Sequence, residues 1–293
     1  MDFDLSADQL ALREAVARFC KKELWYDDMI ERDHEGRFSR EGWDKAAEFG
    51  FQGMPIPTEY GGQGYDILST AVAFEALGYG SNDPGLALAI SAHLVIVTIP
   101  IWQYGTEDQK RRYLPDLASG RKIGAYGLTE PEAGSDAFSL RTTATRKGDH
   151  WVLNGQKTFI TNGPIADYLI VFATIDRSLG SKGITAFIVH KDFPGFGVAR
   201  ELDKMGLRTS PTGELFFENC EVPAENVLGE VGGGAAVLHG SLEWERALIL
   251  TRTVGAMQRE LEACVEYANT RVQFGKPIGK NQAISHKIAD MKV

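Results

Sequence analysis

The residues best suited to hold a polar ligand lie at positions 127–136, which read GLTEPEAGSD. Glycine and serine let a backbone approach a ligand closely, and the stretch also offers N–H groups and short hydroxyls. Such a segment could bind a flat, polar ring or a phosphate group. Taken alone, it is explained equally well as a turn between two domains that contains proline and glycine.

Other reactive side chains lack the spacing that their chemistry requires. Glu132 and Asp136 lie in the same glycine-containing loop, and no second carboxylate cluster accompanies them as a paired-carboxylate hydrolase would need. Ser210 and Ser241 lack the Gly-x-Ser-x-Gly pattern of a nucleophile elbow. Four histidines are not at metal-ligand spacing, namely His93, His190, His239 and His286. We therefore expect no metal site.

Composition is that of ordinary globular protein. The 293 residues are 43% hydrophobic and 24% charged, which suffices for two or three packed units. The net charge of −9, with both signs interspersed, argues against nucleic acid as the main partner. No apolar run approaches the length of a membrane span, and the first four residues lack the features of a signal peptide. Three widely separated cysteines suggest neither a disulfide framework nor a zinc site, so we expect a cytoplasmic protein.

The first part of the chain, residues 1–120, is predicted to be an all-α domain. Two capping boxes, Ser6 with Gln9 and Thr106 with Gln109, should each open a helix. Pro115 is expected to limit the second of these helices. Further helices are predicted from apolar patterning over 43–49, 71–77 and 86–101.

The second part, residues 121–230, changes to the alternating pattern of strands. Asn154-Gly155 is the strongest short hairpin signal and should connect strands over 151–153 and 157–160. Further strands are predicted over 167–174, 184–189 and 215–220. Because no helix-length segments alternate with these strands, an antiparallel barrel or sandwich is favoured over a parallel sheet.

The third part, residues 231–293, returns to helix. A long amphipathic helix is predicted over 235–271, a break at 274–277, and a second helix from about Asn281. Two helices leave an apolar face of each uncovered, so further helices or another subunit should cover them. The whole chain is thus predicted to be α+β, with an incomplete helical bundle at its end.

Four short motifs, in this order of secondary structure, resemble the acyl-CoA dehydrogenase family over essentially the whole chain. They lie at 127–136, 157–163 (KTFITNG), 204–208 (KMGLR) and 271–275 (RVQFG). Each is a weak signal alone, and the four together in the right order are specific. The resemblance implies a dehydrogenase of acyl thioesters that uses FAD. It also implies a C-terminal four-helix bundle, of which this chain holds roughly the first half.

The resemblance implies that the middle domain contacts flavin and substrate. The Thr129 hydroxyl would face the pyrimidine end of the flavin, where donors stabilise the anionic reduced ring. Ser135 would contact the pyrophosphate of the cofactor. Phe159, a position where many members carry Trp, would lie beside the isoalloxazine, although core packing is an alternative explanation. The implied cofactor-binding residues are Tyr126, Leu128, Thr129, Gly134, Ser135, Phe159, Ile160, Thr161, Arg271, Phe274 and Gln282.

The last three of these residues bear on assembly. Arg271 and Phe274 match a dimer contact in which the arginine reaches the FAD phosphates of the neighbouring subunit, a role that suits a guanidinium. A solvated arginine at a helix end fits the local sequence equally well. Gln282 matches a further position near the cofactor. A homotetramer or homodimer is the implied assembly.

The implied reaction needs a base that removes the proton α to the thioester carbonyl while hydride leaves the β carbon for flavin N5. A carboxylate in a dry pocket, with its pKa raised by burial, suits this role. Many family members carry this glutamate at positions beyond residue 293. Relatives of the isovaleryl-CoA dehydrogenase type carry it on the first bundle helix, where Glu245-Arg246 aligns.

We therefore identify Glu245 as the candidate base. The alternative is a surface glutamate paired with an arginine, which Glu243 fits better because it points to another helix face. Ser135, Trp244 and Arg246 are the candidate substrate contacts, and Trp244 could narrow the acyl pocket.

Substrate carrier and electron acceptor stay open at this point. Residues 164–167 and 244–247 resemble those of prolyl-carrier-protein dehydrogenases, so the thioester could be carried by CoA or by an acyl carrier protein. The acceptor could be an electron-transferring flavoprotein or oxygen. A third hypothesis, from another functional class, is that the chain is a truncated, non-catalytic module that binds a thioester or a partner.

Overall fold

The computed structural model describes residues 4–293; residues 1–3, on which part of the signal-peptide expectation rests, lie outside the described residues. Helices form the first and last parts of the chain, and a sheet forms the middle. The helices are α1 (Ala7–Glu23), α2 (Met29–Glu35), α3 (Arg40–Phe49), α4 (Ile67–Gly80), α5 (Pro84–His93), α6 (Ile99–Tyr104), α7 (Glu107–Ala118), α8 (Gly234–Leu248), α9 (Thr251–Thr270) and α10 (Gln282–Lys292). The strands are β1 (Gly124–Gly127), β2 (Thr143–Lys147), β3 (His150–Thr161), β4 (Tyr168–Thr174), β5 (Ile184–His190), β6 (Phe196–Glu201), β7 (Thr212–Pro223), β8 (Val227–Leu228), β9 (Val272–Gln273) and β10 (Lys276–Pro277). The α+β prediction is confirmed.

Both predicted capping boxes are present. The Ser6 hydroxyl accepts a hydrogen bond from the Gln9 backbone N–H, and the Gln9 side chain accepts one from the Ser6 backbone N–H. Thr106 and Gln109 repeat this arrangement at the start of α7. The expectation that Pro115 limits α7 is wrong, because the helix continues to Ala118. Proline there removes only one hydrogen bond near the helix end, while Leu114 and Leu117 on either side are fully buried.

The most apolar helical segment, Pro84–Tyr104, consists of α5, a π-helical turn (Leu94–Thr98) and α6. At 21 residues it is long and apolar enough to cross a membrane by length and composition, so the expectation that no apolar run approaches that length is wrong. In the fold, however, 83% of its most apolar window is buried inside the protein. The segment therefore serves as the central core helix.

The main sheet has the strand order β6-β7-β3-β2-β4-β5-β8, with β1 paired to β4. Most neighbours are antiparallel, as expected, but β1 runs parallel to β4 and Thr143 of β2 pairs in parallel with Thr174 of β4. The sheet is therefore mixed, which corrects the purely antiparallel prediction. Parallel neighbours need a long connection, and here the β2–β3 hairpin provides it between β1 and β4.

The hairpin predicted at Asn154-Gly155 is wrong. These residues lie inside the long strand β3, and the turn lies instead at Gly148-Asp149, between the paired residues Lys147 and His150. At Gly155 the register with β7 shifts and φ is +151°, which marks a β-bulge. A Cβ at Gly155 would lie 2.5 Å from the Thr142 hydroxyl, so glycine is required by space as well as by conformation.

The C-terminal helical pattern is interrupted once more than predicted. The long helix divides at Ile249 and Leu250 into α8 and α9, and the break at 274–277 is the small β9–β10 hairpin, as expected. Apolar side chains on α9 are exposed, among them Met257 and Tyr267. This agrees with the expectation that these helix faces are incomplete by themselves.

Helix α9 packs on α4 through two glycines that leave no space between the helices. A Cβ at Gly78 would lie 1.7 Å from the Arg252 carbonyl oxygen, and one at Gly255 would lie 1.8 Å from the Glu75 carbonyl oxygen. We expect Gly255→Ala to push the helices apart and lower the free energy of unfolding by about 1–3 kcal/mol, measured by urea denaturation. Gly206→Ala is the control, since a Cβ there meets nothing within 4 Å. Equal stability of the two variants would contradict this packing.

Candidate active site

The loop that follows β1 is held against β3 by backbone and side-chain hydrogen bonds. The Thr158 N–H donates to the Thr129 carbonyl at 2.9 Å. The Lys157 ammonium donates to the Leu128 carbonyl at 3.1 Å and to the Glu130 carboxylate at 2.7 Å. We call residues 127–136 the flavin wall below, because the family resemblance implies that they contact the flavin. Its first residues are thus fixed relative to the strand that carries Phe159 and Thr161.

Lys157 and Glu130 form a buried ion pair that the sequence reasoning did not single out. Their side chains are 0% and 4% exposed. Burial lowers the pKa of Lys157 to about 8. Burial disfavours the ionised form of Glu130 too, but Lys157 and the N–H groups of Arg141 and Thr142 outweigh it and lower the pKa of this carboxyl. The signal available in the sequence was a lysine among inward-facing strand positions.

Phe159 adopts a backbone conformation that is rare for an aromatic residue. Its φ is +59°, in the left-handed region, at the point where the register of β3 with β7 shifts between Lys157 and Ile160. The ring consequently stands out of the sheet, 69% exposed. The alternative of core packing for Phe159 does not hold. It applies instead to Ile160, which is buried in the sheet core, so only its backbone could face a cofactor.

Three hydroxyls at the wall and at the adjacent end of β3 have no hydrogen-bond partner within residues 4–293. They belong to Thr129 and Thr161, which are half-buried, and to Ser135, which is exposed together with Gly134. Free hydroxyls beside an outward-standing aromatic ring form a donor set that fits the polar edge and the flat face of a flavin. On this observation, the residues present fit FAD.

Strand β1 is joined to helix α8 at the other side of the wall. The Tyr126 hydroxyl lies 2.9 Å from the Ser241 hydroxyl. Ser241 donates its own proton to the Leu238 carbonyl, so Tyr126 is the donor in this pair. Glu245 lies one helical turn beyond Ser241, on the same face of α8.

Glu245, the candidate base, is half-buried on α8. Burial raises the pKa of its carboxyl, and nearby Arg246 offsets this only in part. Burial raises the pKa of the Tyr126 hydroxyl; its hydrogen bond to Ser241 opposes this, and the nearby charge of Glu245 adds to it. Within residues 4–293 Glu245 forms no ion pair, whereas Glu243 is exposed, so the surface-pair explanation does not describe Glu245.

The neighbourhood of Trp244 contains two aromatic residues that sequence reasoning missed. Trp102 meets Trp244 edge to face, with ring centroids 6.1 Å apart. The Tyr104 hydroxyl lies so close to Gly240 that a Cβ there would be 1.8 Å away. Both aromatic residues are on α6, at least 130 positions before α8, and no local pattern links them to it.

The remaining predicted residues lie apart from the wall, on elements that pack on α9. Arg271 and Phe274 belong to the β9–β10 hairpin region and Gln282 begins α10; all three side chains are exposed, Phe274 by 98%. Their expected contact with the cofactor of a neighbouring subunit stays a prediction. In the part of the chain that the structure describes, no three His, Cys, Asp or Glu side chains are grouped to hold a metal ion.

Comparison with known proteins identifies the family of the chain. The acyl-CoA dehydrogenase family models match in order: the N-terminal domain at residues 6–121, the middle domain at 125–220 and the C-terminal domain at 232–293. Two curated relatives are each 44% identical, over 100% of this chain and 77% of their own length. They are an L-prolyl-[peptidyl-carrier protein] dehydrogenase of Pseudomonas fluorescens and a short-chain-specific acyl-CoA dehydrogenase of Megasphaera elsdenii.

A solved structure, PigA with FAD and proline, is also similar. It superposes with a TM-score of 0.95 at 38% identity, over 100% of this chain and 76% of that one. The family resemblance seen in the sequence is thereby confirmed over the whole chain. With a three-part fold, a donor set that fits FAD and three consecutive family matches, this protein belongs to the acyl-CoA dehydrogenase family of flavin-dependent oxidoreductases.

Proposed function

We propose that the protein catalyses the FAD-dependent α,β-dehydrogenation of an acyl thioester, with Glu245 as the base. The observation that supports this best is the half-buried, unpaired carboxylate of Glu245, one turn of α8 beyond the Ser241 hydroxyl that bonds to Tyr126 of β1. FAD, when bound, accepts the β-hydride at N5. The Glu245 carboxylate takes the α-proton, and a double bond forms between the α and β carbons.

The residues of the wall would hold the flavin. The Thr129 and Thr161 hydroxyls, with the backbone of Leu128, suit its polar edge, and Ser135 with Gly134 suits the pyrophosphate. The outward ring of Phe159 would cover one face of the isoalloxazine. In a homodimer or homotetramer, Arg271, Phe274 and Gln282 would reach the cofactor of the adjacent subunit.

On the substrate side, Ser135, Trp244 and Arg246 would bind the thioester. Trp244 and Arg246 flank Glu245 on α8 and would orient the α carbon toward the carboxylate, while the aromatic ring of Trp244 would exclude water. The Trp102 ring against Trp244 narrows the same region, which favours a short or cyclic acyl group.

CoA is our first choice of carrier, with an acyl carrier protein as the second candidate. Both carriers are supported by relatives of 44% identity, a short-chain acyl-CoA dehydrogenase and a prolyl-carrier-protein dehydrogenase. Matched prolyl and short-chain acyl groups on CoA and on a carrier protein separate the two, since turnover of the protein-bound form alone would exclude the first. We place the protein in the cytoplasm and propose an electron-transferring flavoprotein or oxygen as acceptor. Flavin reoxidation in air, with and without the flavoprotein, distinguishes them.

A non-catalytic module is the competing proposal from another class. It predicts a folded preparation without the visible absorption of a bound flavin. A flavin spectrum that bleaches when thioester is added under anaerobic conditions would exclude it.

The raised pKa of Glu245 predicts a specific pH profile. The base works only when ionised, so the rate of flavin reduction falls as the pH drops through the pKa of this carboxyl. Burial shifts that pKa upward, and we therefore expect the acid limb above the ordinary range of a glutamate. Stopped-flow reduction across pH tests this. A limb at the ordinary glutamate value would show that the carboxyl is solvated during the reaction.

Phe159→Gly separates the strain of the backbone from the contact with flavin. Glycine adopts a φ of +59° without the Cβ penalty, so we expect a free energy of unfolding of the flavin-free protein within about 1 kcal/mol of wild type. FAD should bind about tenfold more weakly because one face loses its aromatic contact. Flavin titration and urea denaturation provide the two readouts. Unchanged FAD affinity would remove Phe159 from the site.

A further inference from the structure

The start of the flavin wall depends on one residue of β1, Gly124. Strand β1 pairs with β4 on one side only, and the N–H and C=O of Gly124 point to its other side, toward α5. The Gly124 N–H donates to His93 Nδ1 at 2.9 Å. The Gly124 carbonyl accepts from Asn162 Nδ2 at 3.3 Å. Two side chains thus replace the missing neighbouring strand at this position.

His93 has a single tautomer that suits this task. Because Nδ1 accepts the Gly124 N–H, the proton lies on Nε2, which donates to the Leu117 carbonyl at 3.0 Å. The ring is fully buried and lies edge to face with the Trp43 ring, with the two ring centroids 5.1 Å apart. Burial lowers the pKa of His93 to about 4, so the ring is neutral at physiological pH. His93 therefore links β1 to the end of α7.

Asn162 provides the second link. Its side chain is fully buried, and Nδ2 donates to the Ala89 carbonyl of α5 at 2.9 Å as well as to Gly124. Its φ of +62° is one that asparagine tolerates better than most residues. The residue lies directly after β3, the strand that carries Phe159 and Thr161. Asn162 therefore sets the distance between the two strands that border the proposed cofactor site.

Space at Gly124 is equally restricted. A Cβ there would lie 2.7 Å from Val97, in the π-helical turn that follows His93. Such turns are rare and occur frequently at functional sites. Strand β1 is only four residues long, so Gly124 lies a short distance along the chain from Leu128 and Thr129.

We propose that His93 and Asn162 are positioning residues, which set the place of the flavin wall by holding both peptide groups of Gly124. The inference rests on the proposed function for the identity of the cofactor. The effect of these two side chains on the backbone of residues 124–130 does not depend on the proposed function. Neither side chain needs to touch the flavin.

Two variants test the proposal. His93→Phe keeps a ring and removes its hydrogen bonds with Gly124, Leu117 and Thr98, while Asn162→Gly permits the positive φ and removes the amide. Asn226→Ala is the matched control, because Asn226 is also buried and donates to a backbone carbonyl, that of Ile188 on β5. Amide hydrogen exchange of the 124–130 peptide is the first readout, and FAD affinity of flavin-stripped protein is the second.

We expect exchange in this peptide to accelerate about tenfold or more in both variants and to stay at the wild-type rate in the control. FAD should bind about tenfold or more weakly in both variants, with the control unchanged. Wild-type exchange rates in the two variants, or an FAD affinity within twofold of wild type, would overturn the proposal. Wild-type protein that binds no FAD would refute the proposed function, and hydrogen exchange would still decide the positioning role. If His93→Phe does not fold, Asn162→Gly decides alone.

Discussion

Replacement of Glu245 by glutamine will slow the reduction of bound flavin by a thioester about 10²–10⁴-fold, the range that a positioned general base contributes. The amide keeps the size and burial of the side chain but cannot accept the α-proton. Flavin content and visible spectrum should stay as in wild type, since Glu245 is on α8 and not among the residues proposed to hold the cofactor. Anaerobic stopped-flow mixing with substrate measures the rate.

Glu243→Gln is the matched control, two positions away on the exposed face of α8. It removes the same charge from the same helix and should leave the rate unchanged. If Glu245→Gln bleaches its flavin as fast as wild type, another group removes the proton. Loss of flavin from the Glu245 variant would instead show a structural role for this carboxylate.

The second large effect is expected at the buried ion pair. Lys157→Met leaves the Glu130 carboxylate buried without its cation, which should cost about 3–5 kcal/mol of unfolding free energy. The double variant Lys157→Met/Glu130→Gln should recover part of this loss, because the buried charge is gone. Urea denaturation of the flavin-free proteins measures both.

Lys147→Met is the control for this prediction. Lys147 is an exposed lysine at the end of β2, and its replacement should change stability by no more than about 0.5 kcal/mol. A Lys157 variant that stays within 1 kcal/mol of wild type would mean that water or a rearranged loop replaces the ammonium. A double variant less stable than the single one would show that Glu130 is held mainly by the backbone N–H groups of Arg141 and Thr142.

Features set by neighbours in the chain could be predicted from the sequence. The capping boxes at Ser6 and Thr106 formed because donor and acceptor are three residues apart in each. The Asn154-Gly155 hairpin failed because a glycine with positive φ serves a bulge as well as a turn. Which of the two forms depends on β7, more than fifty residues later, and no local rule includes it.

In the candidate site, too, local motifs could be recognised in the sequence and long-range contacts could not. Motifs directed attention to the flavin wall, and the family resemblance directed attention to Glu245; the roles of both stay predictions. The residues that hold these groups were not found, because Lys157, His93 and Asn162 act through contacts with distant backbone atoms. A buried lysine, histidine or asparagine in a sequence does not indicate which carbonyl or N–H it will meet.

The apolar segment Pro84–Tyr104 has a consequence for synthesis of the chain. Part of its cover in the finished fold comes from β1 and α8, and α8 ends at Leu248. After Tyr104 leaves the ribosome, about 140 further residues must follow, which takes roughly 7–30 s at ordinary elongation rates. Throughout that interval the nascent chain displays a segment with the length and hydropathy of a membrane span. Until α8 has folded onto it, this segment therefore lacks part of the cover that it has in the finished fold.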